Sequence, residues 1–433
     1  MKKRLVASSI AVALVGVASL SYGAGFKVSE QGAKAMGMAN AFAAQADDPS
    51  ALAYNPAGIA FQKGSQVQVG DTTILVPQTE FEGTTKLSPG TTVSEKANRD
   101  IFIAPTFYAT TSLESMPLSF GLGVNSFNPL AKRWDAGSAF RDSIQSIAIK
   151  PVNFQPTVAL RFDDLKLAIA GGFDVTYAQV SLQKMVYKTL PSSAPFTEIA
   201  GYQGIGVLGA DATATGYGYN VGLKWKPSNA FSFGAAYRSE IKLNLNGDAN
   251  FLATPPRGTN DTAMNYLLGS GRSSASTDIT LPDSLVLGVA WKPIDSLTLE
   301  FDAERTGWSS YNKLELSFGS PLTPLNGNPD PKNWEDVWAY RFGAQYAVNK
   351  NLDLRAGYAY DASPAPNSTV GPELPDADRH NVSVGTGIHN DFGSVDLAYM
   401  WVHWIDRTVE NAKETGTFKS DAHILAASVT LKF

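Results

Sequence analysis

The stretch Gly216–Lys226 reads GYGYNVGLKWK and alternates between apolar residues and small or polar ones. Its apolar face consists of Tyr217, Tyr219, Val221, Leu223 and Trp225. Because successive side chains of a β-strand point to opposite faces, one face of this segment suits lipid and the other suits water. Two-faced strands of this kind, each about ten residues long, build transmembrane β-barrels.

The same rhythm recurs in about fourteen segments between Ser65 and Phe433. The links between segments are alternately short and long, and the short ones include Asp163–Asp164, Ser228–Asn229 and Asn349–Lys350. Transmembrane barrels combine short periplasmic turns with long outer loops, whereas a soluble β-sandwich has no reason to shorten every second connection. The sequence therefore predicts an all-β protein whose residues 65–433 form a 14-stranded antiparallel transmembrane β-barrel in the outer membrane of a Gram-negative cell.

The amino terminus has the pattern of a secretory signal peptide. Lys2, Lys3 and Arg4 precede an apolar run from Leu5 to Leu20, and small residues follow it. A helix over that run would span only ~24 Å, short of the ~30 Å hydrocarbon core of a bilayer, so a membrane anchor is disfavoured. We therefore predict a signal peptide over residues 1–23 that is removed on export.

The composition narrows the possible functions. Without the three basic residues of the signal peptide, 32 of the 35 basic side chains remain against 40 acidic ones, a formal charge of −8. An acidic balance disfavours nucleic acid as a partner. The absence of cysteine excludes disulfides and thiol chemistry. Four dispersed histidines and no Gly-x-Ser-x-Gly elbow disfavour an outer-membrane lipase, which stays open as the enzymatic alternative. We predict no enzymatic activity, no cofactor and no metal site.

A segment before the first predicted strand, Ala24–Phe61, lacks this alternation and is rich in alanine and glycine. A fourteen-stranded barrel is wider than the eight-stranded barrels that side chains alone can fill. We therefore predict that residues 24–64 plug the lumen as an N-terminal hatch. Within the hatch, Asn55-Pro56-Ala57 is a turn signal, because proline disfavours the helical conformation of the residue before it.

Together with the acidic pair Asp47–Asp48 and the start Ala24-Gly25-Phe26, this segment and the barrel behind it resemble one known family. It is the FadL/TodX family of outer-membrane long-chain fatty acid and hydrocarbon transporters. The hatch of that family carries an Asn-Pro-Ala motif, which matches Asn55, Pro56 and Ala57. The resemblance implies a monomeric barrel that takes up hydrophobic molecules passively, with long-chain fatty acids as the first candidate and hydrocarbons as the alternative. It also implies outer-membrane lipid and the barrel assembly machinery as partners.

The resemblance further implies a transport route. In the family a ligand is captured by outer loops, held in a lumenal pocket and released sideways beside a kinked third strand. The third strand here contains Phe120–Asn125, FGLGVN, and Gly121, Gly123 and Asn125 are the candidate kink residues. Glycine weakens strand pairing and permits a bend, although small residues would equally suit a crowded wall.

Local matching to the family assigns candidate ligand contacts. Two basic residues near the outer ends of their strands, Lys184 and Lys332, would meet a carboxylate headgroup. We also predict apolar ligand contacts at Phe26 and, from the apolar character of the outer loops, at Phe196, Leu267 and Leu268. The last three lie in apolar outer loops, which would either form a ligand groove or bury each other as a cap.

The predicted lumen is charged. Glu300, Asp302 and Glu304 share one face of a strand, and Arg341 and Arg355 lie at inward positions of two neighbouring strands. We expect these residues to form ion pairs that stiffen the barrel wall.

Overall fold

The computed structural model describes residues 25–76, 78–113, 115–190, 201–253 and 271–433. Within them, fourteen antiparallel strands, numbered here β1 to β14 along the chain, form one closed barrel. The barrel closes because β1 pairs with both β2 and β14. The predicted fold class is therefore confirmed.

Most strands are continuous, but β3, β7 and β8 each resume after a short break. The first seven are β1 Ser65–Val76, β2 Asp100–Ser112, β3 Leu118–Asn125 with Leu130–Arg133, β4 Ser146–Phe162, β5 Leu167–Leu190, β6 Gly201–Trp225, and β7 Phe231–Arg238 with Ile241–Ala253. The others are β8 Gly271–Leu281 with Ser284–Ile294, β9 Leu297–Thr306, β10 Val337–Asn349, β11 Leu352–Asp361, β12 Arg379–Asn390, β13 Gly393–Trp404 and β14 Asp421–Lys432.

The two faces of the strands separate lipid from lumen as their alternation predicts. In β6 the apolar residues from Tyr217 to Trp225 are exposed on the outer wall, whereas Asn220 and Lys224 on the opposite face are buried. Trp291 of β8 pairs with Phe231 of β7, close to the level of Trp225, and is also exposed on the outer wall. These outward side chains form the apolar band that contacts the membrane.

Two strands are far taller than the membrane requires. β5 has 24 residues and β6 has 25, whereas about 9 to 11 residues suffice to cross the bilayer. The sequence predicts a loop over 188–212, but 188–190 and 201–212 are strand, because the two outer halves pair with each other as far as Leu190 and Gly201. This hairpin therefore stands beyond the membrane and forms one wall of the outer region.

The outer loops fold into a cap. Its largest element is a four-stranded sheet made of Glu80–Thr85, Val93–Lys96, Arg407–Glu410 and Glu414–Lys419. Aromatic side chains of the loops fill its core: Phe81, Trp134, Phe140 and Phe418 are buried against one another. Smaller elements are strand pairs Lys313–Leu314 with Asp330–Pro331, a strand Ser317–Phe318 beside β8, and 3-10 turns Trp308–Ser310 and Thr323–Leu325.

The hatch lies inside the barrel. It has two one-turn helices, α1 Ala33–Met36 and α2 Ala51–Tyr54, followed by a 3-10 helix Pro56–Phe61. Helices this short are unstable alone, so packing against the wall must hold them. Glycines of the wall allow this close packing, because an added Cβ would collide with the hatch at Gly222, Gly234, Gly343, Gly357 and Gly385. Among the described residues no helix is long and apolar enough to cross a membrane.

Candidate functional site

A cavity of ≈ 500 Å³, called here the outer cavity, lies between the cap and the outer ends of the strands. Its apolar lining includes Ile144, Ile147, Leu182, Leu208, Leu314 and Phe318. Its charged lining is Lys86, Asp142, Lys184, Asp330, Lys332, Glu373 and Lys413. The volume lies within the ~300–1,000 Å³ of small-molecule pockets. An apolar wall beside cationic groups suits a long apolar molecule with an anionic end.

The tall hairpin positions the first of the two predicted lysines. Lys184 on β5 pairs with Leu208 on β6, beyond the membrane-spanning part of the barrel, and lines the outer cavity. Its side chain is half-buried. Within the described part of the chain, no carboxylate oxygen lies within 4.0 Å of its ammonium group. Lys184 is therefore a cation without a counter-ion at the edge of an apolar space, which favours an anionic ligand group.

The second predicted lysine lines the same cavity but is already neutralised. Lys332 is 3% exposed, and its Nζ donates to Glu373 Oε1 at 2.5 Å and to Asp330 Oδ2 at 2.9 Å. Burial alone would lower the pKa of Lys332, but Glu373, Tyr311 and Asp330 outweigh that effect and raise it. Burial would likewise raise the pKa of Glu373, but Lys332 and Lys413 hold it at about 2. The pair is thus charged at neutral pH.

Sequence reasoning missed the two carboxylates that bind Lys332. Glu373 belongs to a distant loop, and no spacing in the chain predicts its contact with Lys332. Asp330, two residues before the lysine, was the one visible signal. The structure therefore brings the two predicted lysines to one cavity and gives them different environments.

The predicted apolar contacts lie elsewhere or beyond the described residues. Phe26 is 1% exposed and packs into an aromatic cluster, with its ring centroid 4.7 Å from that of Trp308 and 5.9 Å from that of Trp334. It anchors the start of the hatch under the cap and does not line the outer cavity. Phe196, Leu267 and Leu268 lie outside the described residues, so their part in ligand capture stays a prediction.

The Asn-Pro-Ala motif ties the hatch to itself and to the wall. Asn55 Oδ1 accepts from Ala57 N at 3.2 Å, which begins the 3-10 helix at Pro56. Its Nδ2 donates to Ala43 O at 2.7 Å and to Leu223 O of β6 at 2.9 Å. The amide thus joins two parts of the hatch to one barrel strand.

The two aspartates of the hatch lie in different surroundings. Asp48 is buried and accepts from Ser50 N at 2.9 Å and from Gln68 Nε2 of β1 at 3.1 Å. Asp47 pairs with Lys34 of α1 at 2.8 Å and faces the periplasmic side. Asp48 therefore ties the hatch to the barrel wall, whereas Asp47 links two parts of the hatch.

The barrel wall is interrupted in β3. Its pairing is regular from Ser119 to Val124 with β2 and from Leu118 to Asn125 with β4, and β3 resumes beside β4 at Leu130. The break holds four residues, 126–129, against three in β4, so β3 contains one extra residue. Within the described chain, β2 has no pairing with β3 above Phe107, and the next bond across is Asn98 N to Arg133 O at 2.9 Å. A window in the wall results.

The two predicted kink glycines are not the site of the bend. Gly121 pairs in register with both neighbouring strands, and so does Gly123. A Cβ at Gly121 would lie 2.6 Å from Leu52 of the hatch. Gly121 makes room for the plug, and the interruption of the strand begins directly after Asn125, the third residue predicted for the kink.

The hatch satisfies the backbone groups that the break leaves unpaired. Gln31 Nε2 donates to Ser126 O at 2.7 Å, and Gln31 Oε1 accepts from Ser126 N at 3.3 Å. Val28 N donates to Phe127 O at 2.7 Å. Unpaired backbone groups inside a membrane protein are unfavourable, so the start of the hatch closes the window chemically as well as sterically.

Some of the lumenal charges form the expected ion pairs. Arg341 binds Glu304 at 3.0 Å and Asp361 at 3.1 Å, and Arg355 binds Asp396 at 2.8 Å. Glu300 and Asp302 do not follow this expectation. Instead they accept hydrogen bonds from backbone N–H groups of the hatch. Both side chains face the irregular main chain of the hatch, whose N–H groups donate to them. No pattern in the sequence predicts this contact.

Comparison with known proteins agrees with this architecture. Residues 14–433 match a family model described as outer membrane protein transport protein (OMPP1/FadL/TodX). The chain is 27% identical to an outer membrane protein of Neisseria meningitidis serogroup B, over 100% of this chain and 99% of that protein. It is 23% identical to the long-chain fatty acid transport protein of an Escherichia coli strain, over 92% and 90% of the two chains.

Solved structures show the same fold. The crystal structure of a Pseudomonas aeruginosa FadL homologue superposes with a TM-score of 0.83 at 21% identity, covering 94% of this chain and all of the other. The toluene transporter TodX of Pseudomonas putida gives a TM-score of 0.67 at 18% identity, covering 89% and 94%. At these identities the likeness establishes the barrel and plug and leaves the ligand open.

Proposed function

The chain belongs to the OMPP1/FadL/TodX family of outer membrane transport proteins, and on that premise we propose that it is a passive channel for long-chain fatty acids. Transport of hydrophobic molecules across the outer membrane is the general activity of this family. The substrate class and the route are the parts of the proposal that rest on this chain's own residues. The barrel closes within one chain, so the proposed working unit is a monomer.

The observation that carries the proposal is the unpaired Lys184 at the edge of the outer cavity. An acyl chain would lie against the apolar lining, where each buried CH₂ contributes ~0.8 kcal/mol. A carboxylate would then replace the missing counter-ion of Lys184. Lys332 is a poorer anion site, because Glu373 and Asp330 occupy its donors.

The proposed exit is the window in β3. Ile101 and Ile103 of β2 border it on the lipid side and are 65% and 50% exposed. A hydrophobic molecule that reaches the window would pass directly from the lumen into the bilayer, without crossing water. The exit requires the start of the hatch to move, since Val28 and Gln31 close it.

Lys184→Met tests the substrate class, with palmitate and hexadecane as matched probes. A hydrogen bond to a charged group contributes about 1.5–3 kcal/mol, so palmitate binding should weaken roughly ten-fold or more, and hexadecane binding should not change. Binding to the purified protein is measured by displacement of a fluorescent fatty acid. Lys184→Arg keeps the charge and is the control, with palmitate affinity expected near that of the unaltered protein.

A hydrocarbon channel is the second candidate, and the neutralised Lys332 favours it. If hexadecane binds as tightly as palmitate and Lys184→Met weakens neither, the fatty acid proposal is refuted in favour of a neutral substrate. Equal losses for both probes would indicate a reshaped cavity and would also contradict the anion contact.

A further inference from the structure

Two further cavities lie deeper in the barrel than the outer cavity, one on each side of the hatch segment Phe42–Gln45. The inner cavity, of ≈ 70 Å³, is lined by Ala43 together with Asp302 and Glu304 of β9. The periplasmic cavity, of ≈ 630 Å³, is lined by Ala44 and Gln45 together with Thr298 of the same strand. We call Phe42–Gln45 the partition, because it contributes residues to both cavities.

The partition is one peptide chain thick. Three neighbouring strands present inward residues in the same order from the periplasm upwards. In each strand the first of three inward residues lines the periplasmic cavity, the second touches the partition and the third lines the inner cavity. These sets are Ser232, Gly234 and Ala236 in β7, Ala290, Gly288 and Val286 in β8, and Thr298, Glu300 and Asp302 in β9. Four residues of a strand rise ~13 Å, so this distance separates the two cavities along the wall.

Side chains of the wall hold the partition by its N–H groups. Asp302 Oδ2 accepts from Phe42 N at 2.8 Å and from Ala43 N at 2.9 Å. Glu300 accepts from Ala44 N at 2.6 Å and from Gln45 N at 3.0 Å. Each carboxylate thus binds two successive amides.

The carbonyl groups of the same segment are also bound by side chains. Ser232 Oγ donates to Ala44 O at 2.8 Å, and Asn55 Nδ2 donates to Ala43 O at 2.7 Å. Lys224 Nζ donates to Gln45 O and, at 3.1 Å, to Ala46 O. Because these bonds come from side chains and not from a strand ladder, the partition can detach while all barrel strands stay paired.

The wall behind the partition is notched by two glycines. A Cβ at Gly234 would lie 2.0 Å from Ala43 O, and a Cβ at Gly288 would lie 3.0 Å from Ala43 Cβ. The partition therefore fills a groove in the wall. Its departure would leave that groove open and would join the two cavities.

We infer that the partition closes a second path through the barrel, one for ions and small hydrophilic solutes, and that Asp302 and Glu300 keep it shut. The linings support this chemistry: Lys27, Arg238 and Arg341 face the inner cavity, and Arg161, Lys226 and Asp47 face the periplasmic cavity. These charged side chains can pair with ions and with hydrophilic solutes, which acyl chains and hydrocarbons cannot do. Hydrophobic and hydrophilic molecules thus have separate exits, the window and the partition.

Planar-bilayer recording of the full mature chain tests this path. Glu300→Ala with Asp302→Ala removes the acceptors of four amides, and we expect discrete potassium chloride conductance steps that the unaltered protein lacks. Glu304→Gln is the matched control, because Glu304 is the next inward residue of β9 and binds Lys27 and Arg341 but no amide of the partition. The control should stay closed. Heat-modifiable electrophoretic mobility reports that each variant is a folded barrel.

A reversible tether locates the path. The chain has no cysteine, so Ala43→Cys with Gly288→Cys introduces the only possible disulfide. A Cβ at Gly288 would lie 2.3 Å from the Asp302 carboxylate, and Asp302→Ala in the same protein removes that clash. Oxidation should abolish the conductance steps of the double alanine variant, and reduction should restore them. A folded double alanine variant that stays closed overturns the inference. Conductance that persists in the oxidised tether also overturns it, because the path would then run elsewhere.

Discussion

At the scale of single residues, two lysines of the same cavity differ in what they can bind. Lys332 spends its donors on Glu373 and Asp330, whereas Lys184 has no carboxylate partner among the described residues. Lys332 is almost fully buried and two carboxylates compensate for its lost hydration, so breaking this pair should destabilise the cap. Burial lowers the pKa of Lys184, and an anionic ligand group would oppose that shift by favouring the charged form. Ligand recognition is therefore expected from Lys184.

The Lys332–Glu373 pair makes the cap sensitive to acid. Glu373 has its pKa at about 2, below the ordinary 4.5, so its contribution is complete above pH 4.5 and is lost as the pH falls towards 2. Lys332→Met leaves a buried carboxylate unpaired and should destabilise the cap by on the order of 3 kcal/mol at pH 7. Near-ultraviolet circular dichroism of the buried tryptophans should record a lower melting temperature.

Two comparisons check the origin of that loss. The difference between the unaltered protein and Lys332→Met should shrink between pH 7 and pH 3. Below its ordinary pKa of 4.5, Glu373 takes up a proton in the unfolded chain, which reduces the stability that the pair gives the unaltered protein, and the unpaired Glu373 of the folded variant becomes neutral. Lys332→Met with Glu373→Gln should recover most of the stability at pH 7. A difference of equal size at both pH values would assign the loss to packing.

At the scale of elements, the extra residue in β3 determines where the wall opens. A β-bulge places one unpaired residue in a strand and bends it, and here four residues of β3 face three of β4. Because β2 follows β1 and not the bend, the two strands separate above Phe107. The window is thus a consequence of register and not of glycine flexibility.

Deleting Asn128 tests the role of the window. The deletion equalises the number of residues in the two strands, so β3 should straighten and pair with β2 beyond Phe107. We expect uptake of radiolabelled palmitate by cells at limiting concentration to fall to background, with palmitate binding to the purified protein unchanged. Asn128→Ala keeps the chain length and should transport normally. Normal uptake by the deletion variant would place the exit elsewhere.

At the scale of the whole molecule, the barrel is too wide to seal itself, and the hatch supplies the missing interior. The hatch has little regular structure of its own and is fixed by wall side chains from β1, β6, β9 and β10. On the two proposals above, its first residues close the window and Phe42–Gln45 closes the path to the periplasm. Different parts of one plug would then close the two exits.

Removing residues 24–61 should convert the protein into an open pore. The barrel ladder does not depend on the hatch, so the shortened chain should still insert, as a heat-modifiable band would report. Its conductance in planar bilayers should exceed that of the Glu300→Ala, Asp302→Ala variant, because the whole lumen is then free. A shortened barrel that stays closed would mean that the cap alone seals the channel.

The sequence by itself determined the barrel, because alternation in strands such as Gly216–Lys226 is set by contact with lipid on one face and lumen on the other, and each strand carries that record locally. The plug could be predicted from the missing alternation before Ser65. The Lys332–Glu373 pair, the bend after Asn125 and the bonds from Glu300 and Asp302 to the hatch could not. Each joins segments far apart in the chain, so only the closed barrel, which brings those segments together, decided them.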